Sequence, residues 1–139
     1  MIVVDTSVWI DFFAGRDAPH VAYLLERLDT GDDEVALTDL ILTEILQGLR
    51  TDREVRRVES HLSAFEVLRL RDLSDFRRAA ALYRSARRQG VTIRRTSHCL
   101  IAAVCVREQL PLLHCDTDFD QLAKVTELRV VMTRARLGE

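Results

Sequence analysis

Residues 1–13 read MIVVDTSVWIDFF, and the change of character at the fifth residue decides the fold class. The first four residues form an unbroken apolar run, which is typical of a strand buried on both faces of a parallel sheet. Asp5 ends this run, and Thr6 or Ser7 is expected to cap a helix that stops at Gly15. The sequence thus opens with a buried strand, a carboxylate and a helix, in that order.

The rest of the chain repeats this alternation of short apolar runs and helical patterns. Further strands are predicted at residues 34–38, 65–70, 112–116 and 128–132. A second helix is predicted from Pro19 to the turn TGDDE, with an apolar stripe of Val21, Leu24, Leu25 and Leu28. Later helices are predicted at 39–50, where Asp39 is the expected cap, and at 52–65, 72–90, 97–109 and 118–125. Strands separated by helices imply a parallel sheet with helices on both faces, so we predict one α/β domain spanning residues 1–139.

Composition restricts the class of protein further. The chain has 139 residues, 47% of them apolar, with only two prolines and five glycines, which excludes a disordered or fibrous protein. The start of the sequence lacks a basic segment followed by an apolar one, and no apolar run approaches the ~20 residues of a membrane span, so we expect neither export nor membrane insertion. Cys99, Cys105 and Cys115 are odd in number and lack CxxC spacing, which predicts reduced core thiols and a cytoplasmic location.

The net charge of −2 conceals a strong asymmetry along the chain. Residues 1–44 contain ten acids and two arginines, whereas residues 45–111 contain fourteen arginines and seven acids. Part of the basic region is a run without acids that can bind RNA phosphates; its arginines are Arg84, Arg87, Arg88, Arg94 and Arg95. The alternative is that these arginines form an ordinary solvated surface.

Carboxylates follow two of the predicted strands. Asp5 closes the first strand and Asp116 closes the strand at 112–116, while Glu44 borders the apolar face of a helix. The carboxyl ends of parallel strands lie at one edge of the sheet, where ligands bind in such folds. If the three acids converge there, their repulsion requires a cation, and oxygen clusters of this kind suit Mg²⁺ or Mn²⁺.

Each acid also has a simpler interpretation. Asp5 can cap the following helix, Glu44 can pair with an arginine of the next helix, and the aspartates from Asp116 to Asp120 can be turn and cap residues. A calcium loop over the same aspartates is rejected, because Gln121 occupies the position where that loop needs glycine.

The stretch RRTSHCLIAAVCV, residues 94–106, poses a separate question. Thr96 and Ser97 are good cap residues, and His98 then falls in the first turn of an almost wholly apolar helix, where backbone N–H groups point outward. His98 is either an exposed first-turn residue or a group held there for binding.

The order and spacing of four motifs resemble those of PIN-domain proteins, and in particular the VapC toxins of bacterial VapBC toxin–antitoxin systems. The motifs are MIVVDTSVWIDFF, LTEILQGL, IRRTSHCLIAA and LLHCDTDFDQLA. The resemblance implies a PIN-like three-layer α/β/α fold with a central parallel sheet and a Mg²⁺- or Mn²⁺-dependent endoribonuclease activity. It also implies a cognate VapB-type antitoxin that blocks the active site, and a homodimer within a larger complex.

The resemblance assigns roles to individual residues. Asp5, Glu44 and Asp116 occupy the family's acidic positions, and Asp118 is an auxiliary metal ligand. Asp5 and Asp116 are expected to bind the metal directly, Glu44 to bind it or orient water, and Ser7 to donate a supporting hydrogen bond.

His98 departs from the family pattern, because related sequences carry an aspartate at this position. An engineered change, a natural variant and a functional replacement all fit a single base change. A neutral imidazole binds Mn²⁺ or Zn²⁺ but matches Mg²⁺ poorly, so weaker Mg²⁺ binding is expected. The alternative function is therefore a catalytically impaired PIN scaffold that binds RNA or an antitoxin. An aspartyl-phosphate phosphatase with Asp5 as nucleophile ranks last, since Ser7 stands where its second aspartate is needed.

Overall fold

The computed structural model describes residues 1–31 and 34–133, and within these ranges four strands alternate with seven helices. In chain order they are β1 (Ile2–Val4), α1 (Thr6–Phe13), α2 (Pro19–Thr30), β2 (Val35–Thr38), α3 (Asp39–Gln47), α4 (Asp52–Leu62), β3 (Glu66–Leu68), α5 (Leu73–Arg88), α6 (Thr96–Glu108), β4 (Leu112–Leu113) and α7 (Thr117–Val125).

The strands form one parallel sheet in the order β3-β2-β1-β4. Val3 of β1 is in register with Ala36 on one side and with Leu112 on the other. The chain therefore adds β2 and then β3 on one side of β1, and β4 pairs with β1 on its other side. This makes the gap between β1 and β4 the switch point of the sheet, where open α/β folds bind ligands. The predicted α/β/α architecture with a central parallel sheet is confirmed.

The two central strands and helix α6 form the centre of the core. Every residue of β1 and β2 is buried, as are Ile101, Ala102, Ala103 and Val104 in the middle of α6. A helix that is apolar on all sides belongs in an interior. Trp9 is fully buried, stacks on Phe13 and donates its indole N–H to the carbonyl of Val4, which fixes α1 against the end of β1.

Several predicted boundaries and caps are wrong; the helices predicted at 39–50 and 52–65, for example, end at Gln47 and Leu62. The last strand is reduced to an isolated bridge between Leu112 and Val130, and the strand predicted at 112–116 already ends at Leu113. The first helix is capped by Asp5, the third by Thr38 and the helix at 96–108 follows Arg95 without a side-chain cap. In each case the residue at the cap position lies one or two residues before the expected cap, and for the first and third helices it directly follows or ends a strand.

Other expectations fail on exposure. Leu25, assigned to the buried stripe of α2, is 49% exposed. Cys99 and Cys105 are buried as predicted, but Cys115 is exposed, because the chain has left the sheet before reaching it. The predicted turn TGDDE includes Asp32 and Asp33, which lie outside the described residues, as do residues 134–139 of the predicted domain. Among the described helices, none is long and apolar enough to cross a membrane.

Candidate active site

Asp5 lies at the junction of β1 and α1, at the carboxyl edge of the sheet. Its backbone N–H donates to the carbonyl of Leu113, which holds it beside β4. Its Oδ2 accepts hydrogen bonds from the backbone N–H of Ser7 at 3.1 Å and from Ser7 Oγ at 2.7 Å. Its Oδ1 is buried and has no hydrogen-bond partner among the described residues. A buried oxygen without a partner is costly, and a carboxylate oxygen of this kind is suited to bind a cation.

A second aspartate in the chain shows what is unusual about Asp5. Asp72 caps α5 and accepts hydrogen bonds from the backbone N–H and Oγ of Ser74, which is the same local arrangement. Those hydrogen bonds lower the pKa of the exposed Asp72. The pKa of Asp5 is raised instead, chiefly because burial disfavours its charge, although the bonds from Ser7 oppose this. Capping alone therefore does not explain why a carboxylate is buried at residue 5.

Glu44 approaches the same region from α3. Thr6 Oγ1 donates a hydrogen bond of 2.7 Å to Glu44 Oε1, which ties the start of α1 to the middle of α3. The charge of Glu44 contributes to the raised pKa of Asp5. No ion pair between Glu44 and an arginine occurs within 1–31 and 34–133, so the simpler interpretation of Glu44 is not supported. Asp5 and Glu44 thus lie close enough to repel each other.

Asp116 reaches the site from the far side of β1. It caps α7, and its Oδ1 accepts the backbone N–H of Asp118 at 2.9 Å. The residue before it, Cys115, donates its backbone N–H to Ser7 Oγ at 3.0 Å. Ser7 therefore accepts from the β4–α7 segment and donates to Asp5. This pair of hydrogen bonds connects the two segments that carry Asp5 and Asp116.

His98 is buried, with 5% of its surface exposed, so the interpretation as an exposed first-turn residue is wrong. Its Nδ1 lies 2.6 Å from Asp118 Oδ2, its Nε2 lies 3.8 Å from Asp116 Oδ2, and its ring packs on Phe119. A carboxylate can only accept, so Nδ1 carries the proton in this bond. The Nε2 atom is then directed toward Asp116.

Asp118 supports His98 from behind. Burial would raise the pKa of Asp118, but hydrogen bonds from His98 and Arg94 outweigh it and lower the pKa below its ordinary value of 3.8. Both carboxylate oxygens are engaged, one by Arg94 Nε and the other by His98 and the backbone N–H of Arg94. Asp118 is therefore ionised and fixes the orientation of the imidazole, an arrangement common around metal-binding histidines.

Arg94 contacts two aspartates of the site, and the sequence did not predict these contacts. Its Nη2 donates to Asp116 Oδ1 at 2.9 Å and its Nε donates to Asp118 Oδ1 at 3.1 Å, while 65% of the side chain stays exposed. The guanidinium thus neutralises the two aspartates of α7 from the solvent side. The only sequence signal was membership of the basic run, which suggested a phosphate contact.

The other predicted RNA-binding arginines, Arg87, Arg88 and Arg95, are exposed. Arg87 lies over the ring of Tyr83 at 5.6 Å. Together with Arg84 it borders a cavity of about 370 Å³ between α5 and α6, which extends to Thr96 beside the site.

The structure therefore brings the predicted residues together in two groups. His98, Asp116 and Asp118 each offer a ligand atom within 4.8 Å of the others. Asp5 and Glu44 form the second group, which Ser7 joins to the first by hydrogen bonds to Asp5 and to the backbone N–H of Cys115. Carboxylate oxygens with one imidazole nitrogen form a donor set for a divalent cation.

The fold is an α/β domain with acids gathered at the carboxyl edge of its parallel sheet, and the model of the PIN domain matches residues 2–125. The chain belongs to the PIN-domain family, whose nucleases use a divalent metal. It is 34% identical to the VapC ribonuclease Mb1587 of Mycobacterium bovis over 134 residues, which cover 96% of this chain and all of that one.

Solved structures agree with this assignment. The chain is 25% identical to VapBC-5 from Mycobacterium tuberculosis, a member of the VapBC family of toxin–antitoxin systems, with a TM-score of 0.61 over 94% of this chain and 98% of that one. VapBC2 from Rickettsia felis, bound to a DNA fragment from its promoter, is 17% identical with a TM-score of 0.71 over 94% and 98% of the two chains, and this likeness shows the fold.

Proposed function

We propose that this protein is a divalent-metal-dependent endoribonuclease and the toxin of a type II toxin–antitoxin module. The observation that carries the proposal is the buried Asp5 Oδ1, which has no hydrogen-bond partner among the described residues and lies at the switch point of the sheet. The names of the VapC relatives support RNA as the substrate.

Mg²⁺ or Mn²⁺ is the proposed cofactor, and Asp5, His98 and Asp116 are its proposed ligands, with Asp118 auxiliary. Glu44 either binds the ion or orients water. The buried carboxylate without a partner fits such an ion, and an imidazole among the ligands favours Mn²⁺ over Mg²⁺. When bound, the ion supplies charge that activates water and stabilises the leaving oxygen of a phosphodiester.

The side chains around this centre have separate tasks. Ser7 holds Asp5 in place through its hydroxyl, and Asp118 holds His98 so that Nε2 is directed inward. Glu44, fixed by Thr6, is positioned to orient the attacking water and accept its proton.

The exposed arginines are the proposed RNA contacts. Arg94 sits at the rim, with most of its side chain in solvent, so it can exchange one carboxylate contact for an RNA phosphate. Arg87, Arg88 and Arg95 extend the positive surface away from the site.

The proposed partner is a VapB-type antitoxin that covers the active site, within a larger complex that contains a homodimer of this chain. The VapBC complexes among the structural neighbours support this assignment. We also propose a cytoplasmic location, in keeping with cysteines that form no disulfide among the described residues.

A second function has its own support. Arg94 already pairs with both Asp116 and Asp118, which lowers the demand of this site for a cation. A PIN scaffold that binds RNA or an antitoxin without cutting is therefore the alternative.

One experiment separates the two functions. Cleavage of a structured RNA is measured with Mg²⁺ and with Mn²⁺ for the wild-type chain, for His98→Asp, and for the surface control His61→Asp. The nuclease proposal expects cleavage by the wild type in Mn²⁺, a gain in Mg²⁺ for His98→Asp, and no gain for the control. If the wild type and His98→Asp bind RNA equally well and both leave it intact, the scaffold function is correct.

A further inference from the structure

A second group of potential ligands lies outside the acidic site. Asp11 of α1, His20 of α2 and Cys115 of the β4–α7 segment each offer one donor atom, and these atoms lie within 4.8 Å of one another. None of the three belongs to the proposed nuclease centre.

The fold explains why residues so distant in sequence meet. Ser7 and Asp11 are four residues apart and therefore lie on the same face of α1. Because Ser7 Oγ accepts the backbone N–H of Cys115, the β4–α7 segment runs over this face and brings Cys115 next to Asp11. His20 enters from the first turn of α2, where Pro19 starts the helix.

Two of the three potential ligands are already in contact. His20 Nε2 lies 2.7 Å from Asp11 Oδ2, and both side chains are largely buried. Arg16 Nε contacts the other oxygen, Asp11 Oδ1, at 3.2 Å, and its side chain is 71% exposed. A cation approaching Oδ2 therefore does not have to displace Arg16. Cys115 is exposed, which gives an ion access from solvent.

We propose that Asp11, His20 and Cys115 form a binding site for a borderline-soft divalent cation, with Zn²⁺ as the best match. Thiolate, imidazole and carboxylate are the ligands of protein zinc sites, whereas Mg²⁺ selects oxygen ligands. The three side chains are the protein ligands, and the fourth position is open to water.

The distances are compatible with this coordination. Zinc–ligand bonds of about 2.0–2.3 Å in a tetrahedron set ligand atoms about 3.3–3.7 Å apart. The separation between His20 Nε2 and Asp11 Oδ2 is 2.7 Å, somewhat shorter than that range, and the separations from these atoms to Cys115 Sγ do not exceed 4.8 Å. Two metal bonds would then replace the hydrogen bond between His20 and Asp11, with the imidazole proton on Nδ1 and the Cys115 thiol proton released to solvent.

The test uses Co²⁺ as a spectroscopic substitute and Zn²⁺ as a protecting ion on the full chain. Co²⁺ bound by a thiolate produces a charge-transfer absorption in the near ultraviolet, which oxygen ligands do not produce. In parallel, the rate of alkylation of Cys115 by iodoacetamide is followed by peptide mass spectrometry, with the buried Cys99 and Cys105 as internal references.

The site predicts the thiolate absorption in the wild type and slower alkylation of Cys115 with Zn²⁺ but not with Mg²⁺. Cys115→Ser removes the absorption. His20→Gln weakens Co²⁺ and Zn²⁺ binding about tenfold or more, while His61→Gln, which removes a surface histidine elsewhere, changes neither. The proposal is overturned if the wild type lacks the thiolate absorption, or if His20→Gln, with an unchanged circular dichroism spectrum, is protected as well as the wild type.

Discussion

The imidazole of His98 donates its Nδ1 proton to Oδ2 of Asp118 across 2.6 Å, and this bond determines how the site can work. His98 is not an exposed surface residue, because it is buried and an ionised partner holds it in one orientation. The imidazole is therefore presented to the acidic site through Nε2.

A carboxylate at residue 98 should lower the stability of the metal-free protein and strengthen its binding of Mg²⁺. His98→Asp places a negative group beside Asp118 and Asp116, so we expect a lower melting temperature in chelator and a larger rise on adding Mg²⁺ than in the wild type. Mg²⁺ affinity should increase about tenfold, because the ligand charge rises by one. Thermal unfolding and calorimetric titration measure the two effects. An equal response of both proteins to Mg²⁺ would show that residue 98 is not a ligand.

Removing the carboxylate that orients His98 should weaken metal binding, although His98 itself stays in place. Asp118→Asn cannot accept both the imidazole and the two donors of Arg94, so we expect Mn²⁺ affinity to fall about 10–100-fold. Titration calorimetry with Mn²⁺ gives this value. A change of less than about twofold would assign Asp118 a purely structural role.

The stability of the metal-free wild type relative to Asp118→Asn should depend on pH. The pKa of Asp118 is lowered in the folded state, so its charge contributes stability that is fully present above the unfolded value and is lost as pH falls through the folded pKa. The wild type should therefore be more stable than Asp118→Asn at pH 7, with the difference shrinking below about pH 4. Urea unfolding across pH in chelator checks this, and a difference that grows in acid would contradict it.

The charge of Asp5 should destabilise the folded protein at neutral pH, whereas the charge of Asp118 stabilises it. Because burial raises its pKa, its charge costs stability at neutral pH, and Asp5→Asn keeps the acceptor for Ser7 without the charge. We expect the free energy of unfolding in chelator to increase by about 1 kcal/mol at pH 7, and the gain to disappear as pH falls and the wild-type carboxyl becomes protonated.

Asp72→Asn is the matched control for this substitution, because it alters the same cap in an exposed position. The pKa of Asp72 is lowered, so this change should slightly reduce stability at pH 7. If Asp5→Asn and Asp72→Asn shift stability in the same direction, burial does not make the charge of Asp5 unfavourable, and the prediction is contradicted.

Arg94 should affect metal and RNA in opposite ways. Arg94→Gln removes the positive group that pairs with Asp116 and Asp118, so Mn²⁺ affinity should rise. RNA binding should weaken, with the salt slope of the binding constant reduced by about one. Fluorescence anisotropy over a range of salt concentrations measures the second effect, and the exposed Arg95→Gln serves as a comparison. Unchanged Mn²⁺ affinity would mean that the ion pairs with Arg94 do not compete with the metal.

The sheet and the acids at its edge were predictable because both follow from local patterns. The apolar runs before Asp5 and Asp116 mark buried parallel strands, and the carboxyl ends of such strands must lie at one edge. Glu44 was also detectable, since a charge beside an apolar helix face needs a partner. These patterns do not predict that β4 pairs with β1.

The contacts of His98, Arg94 and Cys115 depend on tertiary approach, which a single sequence does not encode locally. A first-turn position leaves the direction of the His98 side chain open, and Arg94 meets Asp116 and Asp118 from 22 and 24 residues away. The predicted core position of Cys115 is wrong, because the strand before it ends at Leu113 and the chain has left the sheet by residue 115. The group of Asp11, His20 and Cys115 was missed for that reason.

The central claim is that Asp5 and its neighbours hold a divalent cation at which RNA is cut. The rate of cleavage of a structured RNA in Mn²⁺, compared between the wild type and Asp5→Asn, tests it most directly. We predict a decrease of about a hundredfold or more for Asp5→Asn, and no cleavage by either protein in chelator. Equal rates for the two proteins, or cleavage that persists in chelator, would contradict the claim.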